Sequence, residues 1–412
     1  MGGGAFILIH MNQEGNETTE VIDCREEAPA AATYDMFEEL PPEASVAGGL
    51  AIAVLGELRG LELAHQRHGS LPWDIVVEPA AELAENGFSI PFYLGSKIEE
   101  YKEYILSNVE LAKVLTKNND GKTLLKQNDV LKQPTLGKTL RKIMVEGADA
   151  IYTGPIAKSM AQEIQNHGGI ITHEDIQNYH PIIRKPVMAE NVAGFTIVGA
   201  PPPSSGGVTI IAAARFLAGY KLPYVTFADT LSQHRLVEAM KHVFAMRMSL
   251  SDPAFYTNIT TAVVKDMLQG SYIDELRAMT SDDHVLPLSS YGGRKWALLH
   301  DRRDLSSQSK YSTSKESSIK HRKSNLENKQ TAGRRARLFQ YLGDPCTSHL
   351  SIVDKDRNAV SFTSTINTHF GSGIVSPSTG IVFNSEVRGI ISTSFLFSNF
   401  IPNSSHYKIS IC

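Results

Sequence analysis

Two segments near the C-terminal end, Ser348–Asp354 (SHLSIVD) and Asn358–Asn367 (NAVSFTSTIN), are rich in β-formers and separated by Lys355-Asp356-Arg357. That pattern predicts an antiparallel hairpin with a short turn. If Asp354 faces Asn358, cross-strand partner numbers sum to 712, which sets Thr347 directly opposite Thr365. Side chains alternate along a strand, so Thr347, His349, Ser351, Thr363, Thr365 and Asn367 share one face. Leu350, Ile352, Val360, Phe362 and Ile366 share the other and are expected to face a core. Two hydroxyls in register beside an imidazole and an amide could support nucleophilic chemistry. On composition alone, an ordinary hairpin with a solvated polar face is the favoured reading.

Other residues invite chemistry less. His65 and His68 fall at the end of a helical pattern that stops at Gly69, where the helix dipole favours cations, so a structural role is expected rather than a metal site. Ser204-Ser205-Gly206 lacks the surrounding G-x-S-x-G pattern and reads as a turn leading into a helix N-terminus. Arg25, beside Glu26 and Glu27, reads by itself as part of a surface ion pair. The three cysteines, Cys24, Cys346 and Cys412, are too few and too far apart for a disulfide framework or a zinc centre.

The elements that must carry these residues form a helix-rich α/β body. Leu50, Ala53, Val54, Leu58, Leu61 and Leu63 recur at helical spacing within Ala47–His68. Thr139–Glu146 and Pro155–His167 read as amphipathic helices, the second with Pro at its first position and Gly168-Gly169 after its end. Thr172–Asp175 has the form of a capping box. Glu190–Gly199 reads as a strand feeding Pro201–Gly207, and helices follow over Val208–Leu217 and Leu231–Leu250.

The formal charge of −4 over 412 residues conceals an uneven distribution. Arg302–Arg337 holds 11 Lys/Arg against three Asp/Glu, a local +8, which leaves −12 for the remainder. That stretch has almost no apolar residues and reads as a disordered insert, unable to offset its ordering entropy by burial. An acidic body with one basic segment argues against nucleic-acid binding. The apolar runs around Ala5–Met11 and Ile390–Ile401 fall short of the roughly 20 residues a bilayer requires. No secretory signal is evident, and Phe6 stands where a myristoylation signal wants Ser or Thr. Asn16-Glu-Thr, Asn258-Ile-Thr and Asn403-Ser-Ser are glycosylation sequons.

The hairpin also carries a match of residue to residue. Cys346-Thr347-Ser-His-Leu-Ser-Ile-Val-Asp, followed by Asn358-Ala-Val-Ser-Phe-Thr-Ser-Thr365-Ile-Asn367, resembles the start of the small subunit of gamma-glutamyltransferases. The resemblance extends to Asp23-Cys-Arg25-Glu-Glu-Ala-Pro29, Gly56–Gly60, His65–Trp73 and Pro201–Gly207, and covers roughly 2–301 and 346–386. It implies the α/β (α+β) architecture of N-terminal nucleophile hydrolases, an αββα sandwich, here incomplete at both termini. It divides the chain into a large-subunit-like body (1–301), the basic insert (302–343), a pre-cleavage segment (344–346) and a small-subunit-like region (347–412) that diverges after 387.

The resemblance further implies a glutathione hydrolase and γ-glutamyl transferase made as a zymogen. Self-cleavage between Cys346 and Thr347 would free the Thr347 amine to act as general base for its own hydroxyl. The γ-glutamyl group of glutathione or a related compound would pass through an acyl-threonine to water, an amino acid or a dipeptide. Thr365 matches the residue that orients the nucleophile, Asn367 and Glu386 those that hold the substrate α-amino group, and Arg25 the arginine that grips the α-carboxylate. His349 is then unnecessary as a base. No cofactor or metal is implied. The partners are γ-glutamyl compounds, acceptors and the two fragments of the chain itself. Relatives reside outside the cell, on its surface or in vacuoles.

The sequence departs from the family at several points. It begins inside the Gly2-Gly-Gly-Ala-Phe segment, carries the insert, and has Asp344-Pro345-Cys346 before the nucleophile. Gly389 stands where relatives carry an Asp that binds the α-amino group, and the later Ser-Ser and Gly-Gly oxyanion-hole segments do not follow. These departures make a catalytically incompetent, shortened form the alternative reading, with low turnover expected.

Overall fold

A computed structural model describes residues 1–13, 15–220, 229–297 and 346–387. The Arg302–Arg337 insert, Pro345, Gly389, the Ile390–Cys412 tail and the Asn403 sequon lie outside the described residues. The chain divides into two compact units. The first contains Met1–Arg184 and the described residues 346–387, and the second contains 185–220 and 229–297.

The strands in chain order are β1 (Gly4–Gln13), β2 (Asn16–Cys24), β3 (Phe88–Ser89), β4 (Val130–Leu131), β5 (Ile182–Arg184), β6 (Val187–Val192), β7 (Phe195–Gly199), β8 (Cys346–Val353) and β9 (Ala359–Asn367). Five of them build the main sheet of the first unit in the order β5-β2-β1-β9-β8, every neighbour antiparallel. β3 pairs with β4, and in the second unit β6 pairs with β7.

One face of the main sheet is apolar. Ala5, Ile7 and Ile9 of β1 and Ile22 and Cys24 of β2 are buried on it, with Val360 and Phe362 of β9 packed alongside. Helix α1 (Glu57–His68) covers this face through Leu61, Leu63 and Ala64. Its Gly60 is required by close approach, because a Cβ there would lie 2.1 Å from Cys24 Sγ. The expected apolar face of the hairpin therefore reaches the core only through β9. On β8, the outermost strand of this sheet, Leu350 and Ile352 are 44% and 59% exposed. They lie beyond the reach of α1, which rests on β1 and β2.

Further along the first unit, helices α2 (Trp73–Asn86) and α3 (Phe92–Glu100) precede the helices Pro134–Glu146 and Gly154–Asn166. The helix at 139–146 thus begins five residues earlier than the periodicity placed it, at Pro134. The capping box at Thr172 is present in full, Thr172 Oγ1 accepting from Asp175 N and Asp175 returning the bond. The helix expected from Ala47 is not continuous. Gly49–Ala51 is a single 3-10 turn and Ile52–Leu55 is extended, bridged to Glu27 through Val54. Those apolar residues are buried as a core-crossing segment rather than as a helix face.

In the second unit the segment read as one strand is the hairpin β6–β7, turning at Ala193-Gly194, both with positive φ. Helices Gly206–Ala218 and Thr230–Arg247 follow, close to their expected bounds. Ser205 sits at the N-cap, where its Oγ accepts from Arg247 Nε at 2.9 Å.

Candidate active site

The glycines at the entry to β1 determine how the site assembles. Thr365 of β9 pairs with Gly4 on one side and with Thr347 of β8 on the other. A Cβ on Gly3 would lie 1.9 Å from the Thr365 carbonyl oxygen, one on Gly2 1.7 Å from that of Val382, and one on Gly4 2.5 Å from Glu26 Oε2. Three consecutive residues without side chains therefore let the backbone of β9, the 382–386 segment and the Arg25-Glu26 pair converge on one sheet end.

The β8–β9 register matches the expected pairing. Thr347 faces Thr365, His349 faces Thr363, and Ser351 faces Ser361. The register shifts between Cys346 and Thr347, so the two residues of the expected scissile bond straddle a bulge. Cys346 is half-buried and Thr347 exposed. The Thr365 hydroxyl donates to the Cys346 carbonyl oxygen and accepts from Asn367 N at 2.8 Å. In the continuous chain it thus faces the carbonyl that precedes Thr347. His349 bonds to Thr363 Oγ1 at 2.7 Å and Ser351 Oγ at 3.0 Å, in keeping with a structural role.

Asn367 adopts a left-handed conformation at φ 76°, which Asn tolerates, and its Nδ2 donates to the Ser385 carbonyl at 2.6 Å. That bond ties the end of β9 to the residue before Glu386. Asn384 locks the same segment to β1 and to the core crossing. Its Nδ2 donates to the carbonyls of Gly2 and Ala53, and its Oδ1 accepts from Ala53 N and Glu386 N.

Glu386 and Arg25 then meet. Arg25 Nη2 lies 3.0 Å from Glu386 Oε2, with side chains 7% and 8% exposed. The backbone of Arg25 is fixed by Tyr179, whose hydroxyl donates to the Arg25 carbonyl at 2.7 Å. Arg25 is therefore not the surface ion pair that its acidic neighbours implied, but a buried guanidinium facing a buried carboxylate. Glu26 is 1% exposed, its Oε2 3.3 Å from Arg25 Nη1, and neither carboxyl oxygen has a hydrogen-bond partner among the described residues. Burial pushes the Glu26 carboxyl up to about 8 against the opposing pull of Arg25, and the Glu386 charge adds to the rise.

The sheet thus gathers Thr347, Thr365, Asn367, Glu386 and Arg25 within the first unit. His65 and His68 take separate partners, the Leu71 carbonyl at 2.7 Å and Glu20 Oε1 at 2.8 Å. Three contributors had no assigned role in the sequence. Gly2–Gly4 could have been found from three glycines before an apolar strand. Asn384 and Glu26 carried no signal beyond lying inside the matched ranges, because their contacts depend on burial.

Across residues 1–406 the chain matches the family model for gamma-glutamyltranspeptidase. The chain belongs to the gamma-glutamyltranspeptidase family. It is 37% identical over 387 residues to glutathione hydrolase 2 of Arabidopsis thaliana, an alignment covering 94% of this chain and 58% of that protein. The glutathione hydrolase proenzyme of Escherichia coli K12 is 32% identical, with the same two coverages. The chain spans about three-fifths of the length of these relatives. Among solved structures, Helicobacter pylori gamma-glutamyltranspeptidase superposes with a TM-score of 0.64 at 28% identity, over 69% of this chain and 80% of that one. Cephalosporin acylase from Bacillus halodurans gives a TM-score of 0.69 at 20% identity over 94% of this chain and 61% of that one, a likeness of fold. The α/β fold of N-terminal nucleophile hydrolases is shared with these proteins. No helix among the described residues is long and apolar enough to cross a membrane.

Proposed function

We propose that this chain is the zymogen of a γ-glutamyl hydrolase and transferase with Thr347 as its nucleophile. The observation that carries the reading is the Thr365 hydroxyl, directly across from Thr347, bonded to the carbonyl of Cys346. In the first stage Thr347 Oγ adds to the Cys346 carbonyl carbon. The C–N bond breaks, the hydroxyl proton ends on the freed amine, and Cys346 is left as an ester on Thr347. The Thr365 O–H is placed to stabilise the negative charge that develops on the carbonyl oxygen. Water then hydrolyses the ester, giving a Cys346 carboxylate and a free Thr347 hydroxyl. The β1–β9–β8 ladder keeps the two fragments paired after the cut.

With the carbonyl released, Thr365 is free to turn toward the Thr347 hydroxyl and orient it. The freed Thr347 amine then serves as general base for its own hydroxyl. Thr347 Oγ attacks the γ-amide carbonyl of glutathione or a similar donor, the amine leaves with a proton, and the γ-glutamyl ester is transferred to water, an amino acid or a dipeptide.

The Arg25–Glu386 pair supports this substrate class. A glutamyl group ends in an ammonium and a carboxylate on one carbon, and two buried opposite charges 3.0 Å apart complement that zwitterion. Arg25 takes the carboxylate, while Glu386 with Asn367 takes the ammonium. The two described sequons, at Asn16 and Asn258, are both exposed and open to glycosylation.

Turnover of a γ-glutamyl anilide by the full chain, lost in Thr347→Ala, tests the proposal. Equal turnover by wild type and variant would contradict it.

A further inference from the structure

Beside the expected scissile bond lies a set of hydrogen-bonding side chains that the chemistry above does not use. Tyr93, in the first turn of α3, and Tyr101, just past its end, lie a little over two turns apart on that helix. His369 stands two residues beyond β9. Its Nε2 is 2.9 Å from the Tyr93 hydroxyl and its Nδ1 3.1 Å from the Tyr101 hydroxyl. The Tyr101 ring is buried and rests against both His369 and Phe370, with centroids 5.2 and 5.6 Å apart, so this end of the set is rigid. The other end is near the bond: the Tyr93 hydroxyl lies 4.0 Å from Cys346 Sγ.

We propose that Tyr101, His369 and Tyr93 form a hydrogen-bonded chain that positions Cys346, and through it the Cys346–Thr347 bond, for self-cleavage. The inference rests on the self-cleavage reading given above. Cys346 is held at two points, its carbonyl by Thr365 on the sheet and its side chain by Tyr93 on α3. The carbonyl bond, with the pairing of Cys346 to Asn367 at the start of β8, restrains the peptide plane, and the Tyr93 contact adds a restraint on the side chain from α3. Together they fix the carbonyl relative to Thr347 Oγ, which an intramolecular attack requires. A neutral imidazole donates from one nitrogen and accepts at the other, so His369 can bond both tyrosines at once and orient the Tyr93 hydroxyl from the buried Tyr101. These three are positioning residues, since none touches the reacting atoms.

The test is a double-mutant cycle on the rate at which the full chain yields a fragment beginning at Thr347, followed by denaturing gel and N-terminal sequencing. Tyr93→Phe keeps the ring and removes the hydroxyl. In the Cys346 protein it should slow cleavage on the order of tenfold. His369→Gln should slow it comparably and should not add to Tyr93→Phe. In Cys346→Ala, where nothing remains for the hydroxyl to hold, Tyr93→Phe should have no further effect, and in Cys346→Ser the dependence on Tyr93 should return. Thermal melting of each variant confirms that it is folded. A Tyr93→Phe protein that cleaves at the wild-type rate would overturn the inference, as would the same slowing in the Cys346→Ala background. A wild-type chain that stays intact would overturn the self-cleavage reading itself, and the positioning role with it.

Discussion

Thr365 contributes one hydroxyl whose two bonds determine its effect on both neighbours. It accepts from Asn367 N and donates to the Cys346 carbonyl, so its proton has one direction available. Thr365→Val keeps the shape and removes the donor. Loss of one oxyanion donor typically costs about 10²–10³ in rate. Appearance of the Thr347 fragment should slow by about that factor, and Thr365→Ser should restore most of it. The roles proposed for Arg25 and Glu386 lie in binding rather than in chemistry. On the proposed reading, in which Glu386 complements the substrate ammonium, Glu386→Gln removes that charge, so KM for a γ-glutamyl anilide should rise on the order of tenfold with a smaller change in kcat. A fall in kcat at constant KM would place Glu386 in the chemistry instead. The burial of this pair was not legible from Arg25-Glu26-Glu27, because a run of charges looks the same whether it is solvated or enclosed. Glu386 is distant in sequence from Arg25, and the Asn384 clamp together with the Asn367–Ser385 bond brings them together.

At the level of elements, the β8–β9 hairpin was the most legible part. Its turn is short and its alternation strict, so a slip of one residue would have exchanged the two faces. What alternation could not show was that β8 lies at one edge of the sheet among the described strands, leaving Leu350 and Ile352 exposed while Phe362 reaches the core. The segment before α1 failed for a related reason. A short apolar run such as Leu50–Leu55 fits a helix face and a buried extended crossing equally well by periodicity. The bridge from Val54 to Glu27, far off in sequence, decided the matter. The glycines of β1 give the prediction at this scale. In Gly3→Ala the new methyl would overlap the Thr365 carbonyl, and that atom belongs to a backbone flanked by paired strands. The β1–β9 ladder must part, so the thermal midpoint should fall sharply and cleavage should be lost. Gly15→Ala, a surface turn with open space around it, should retain cleavage despite its own positive φ. Comparing the two variants by melting and by gel checks the claim.

For the molecule as a whole, the two units should respond oppositely to pH. In the first, Glu26 has its carboxyl raised to about 8 by burial. The folded state then holds a proton that the unfolded chain releases near the ordinary Glu value, so this contribution to stability is present in acid and fades as pH rises toward 8. In the second, His242 is fully buried and held neutral, Gly292 N donating to its Nδ1 and its Nε2 bonded to Thr280. Burial lowers it to about 4, so its contribution is present above the ordinary imidazole value and is lost as pH falls from there through 4. Glu26→Gln should flatten the decline in stability between pH 4.5 and about 8, and His242→Gln the loss between pH 6.5 and about 4, each measured by melting across pH 4–9. The division into units was itself not legible, since composition changes little across residue 185.

The central claim is that Thr347 carries the γ-glutamyl group. Peptide mapping of the full chain, quenched in acid during turnover of a γ-glutamyl anilide, reads this directly. The account predicts a peptide beginning at Thr347 whose mass is increased by one glutamyl residue attached through an ester, absent from Thr347→Ala. A γ-glutamyl group found on any other side chain, or turnover with an intact Cys346–Thr347 bond, would contradict it.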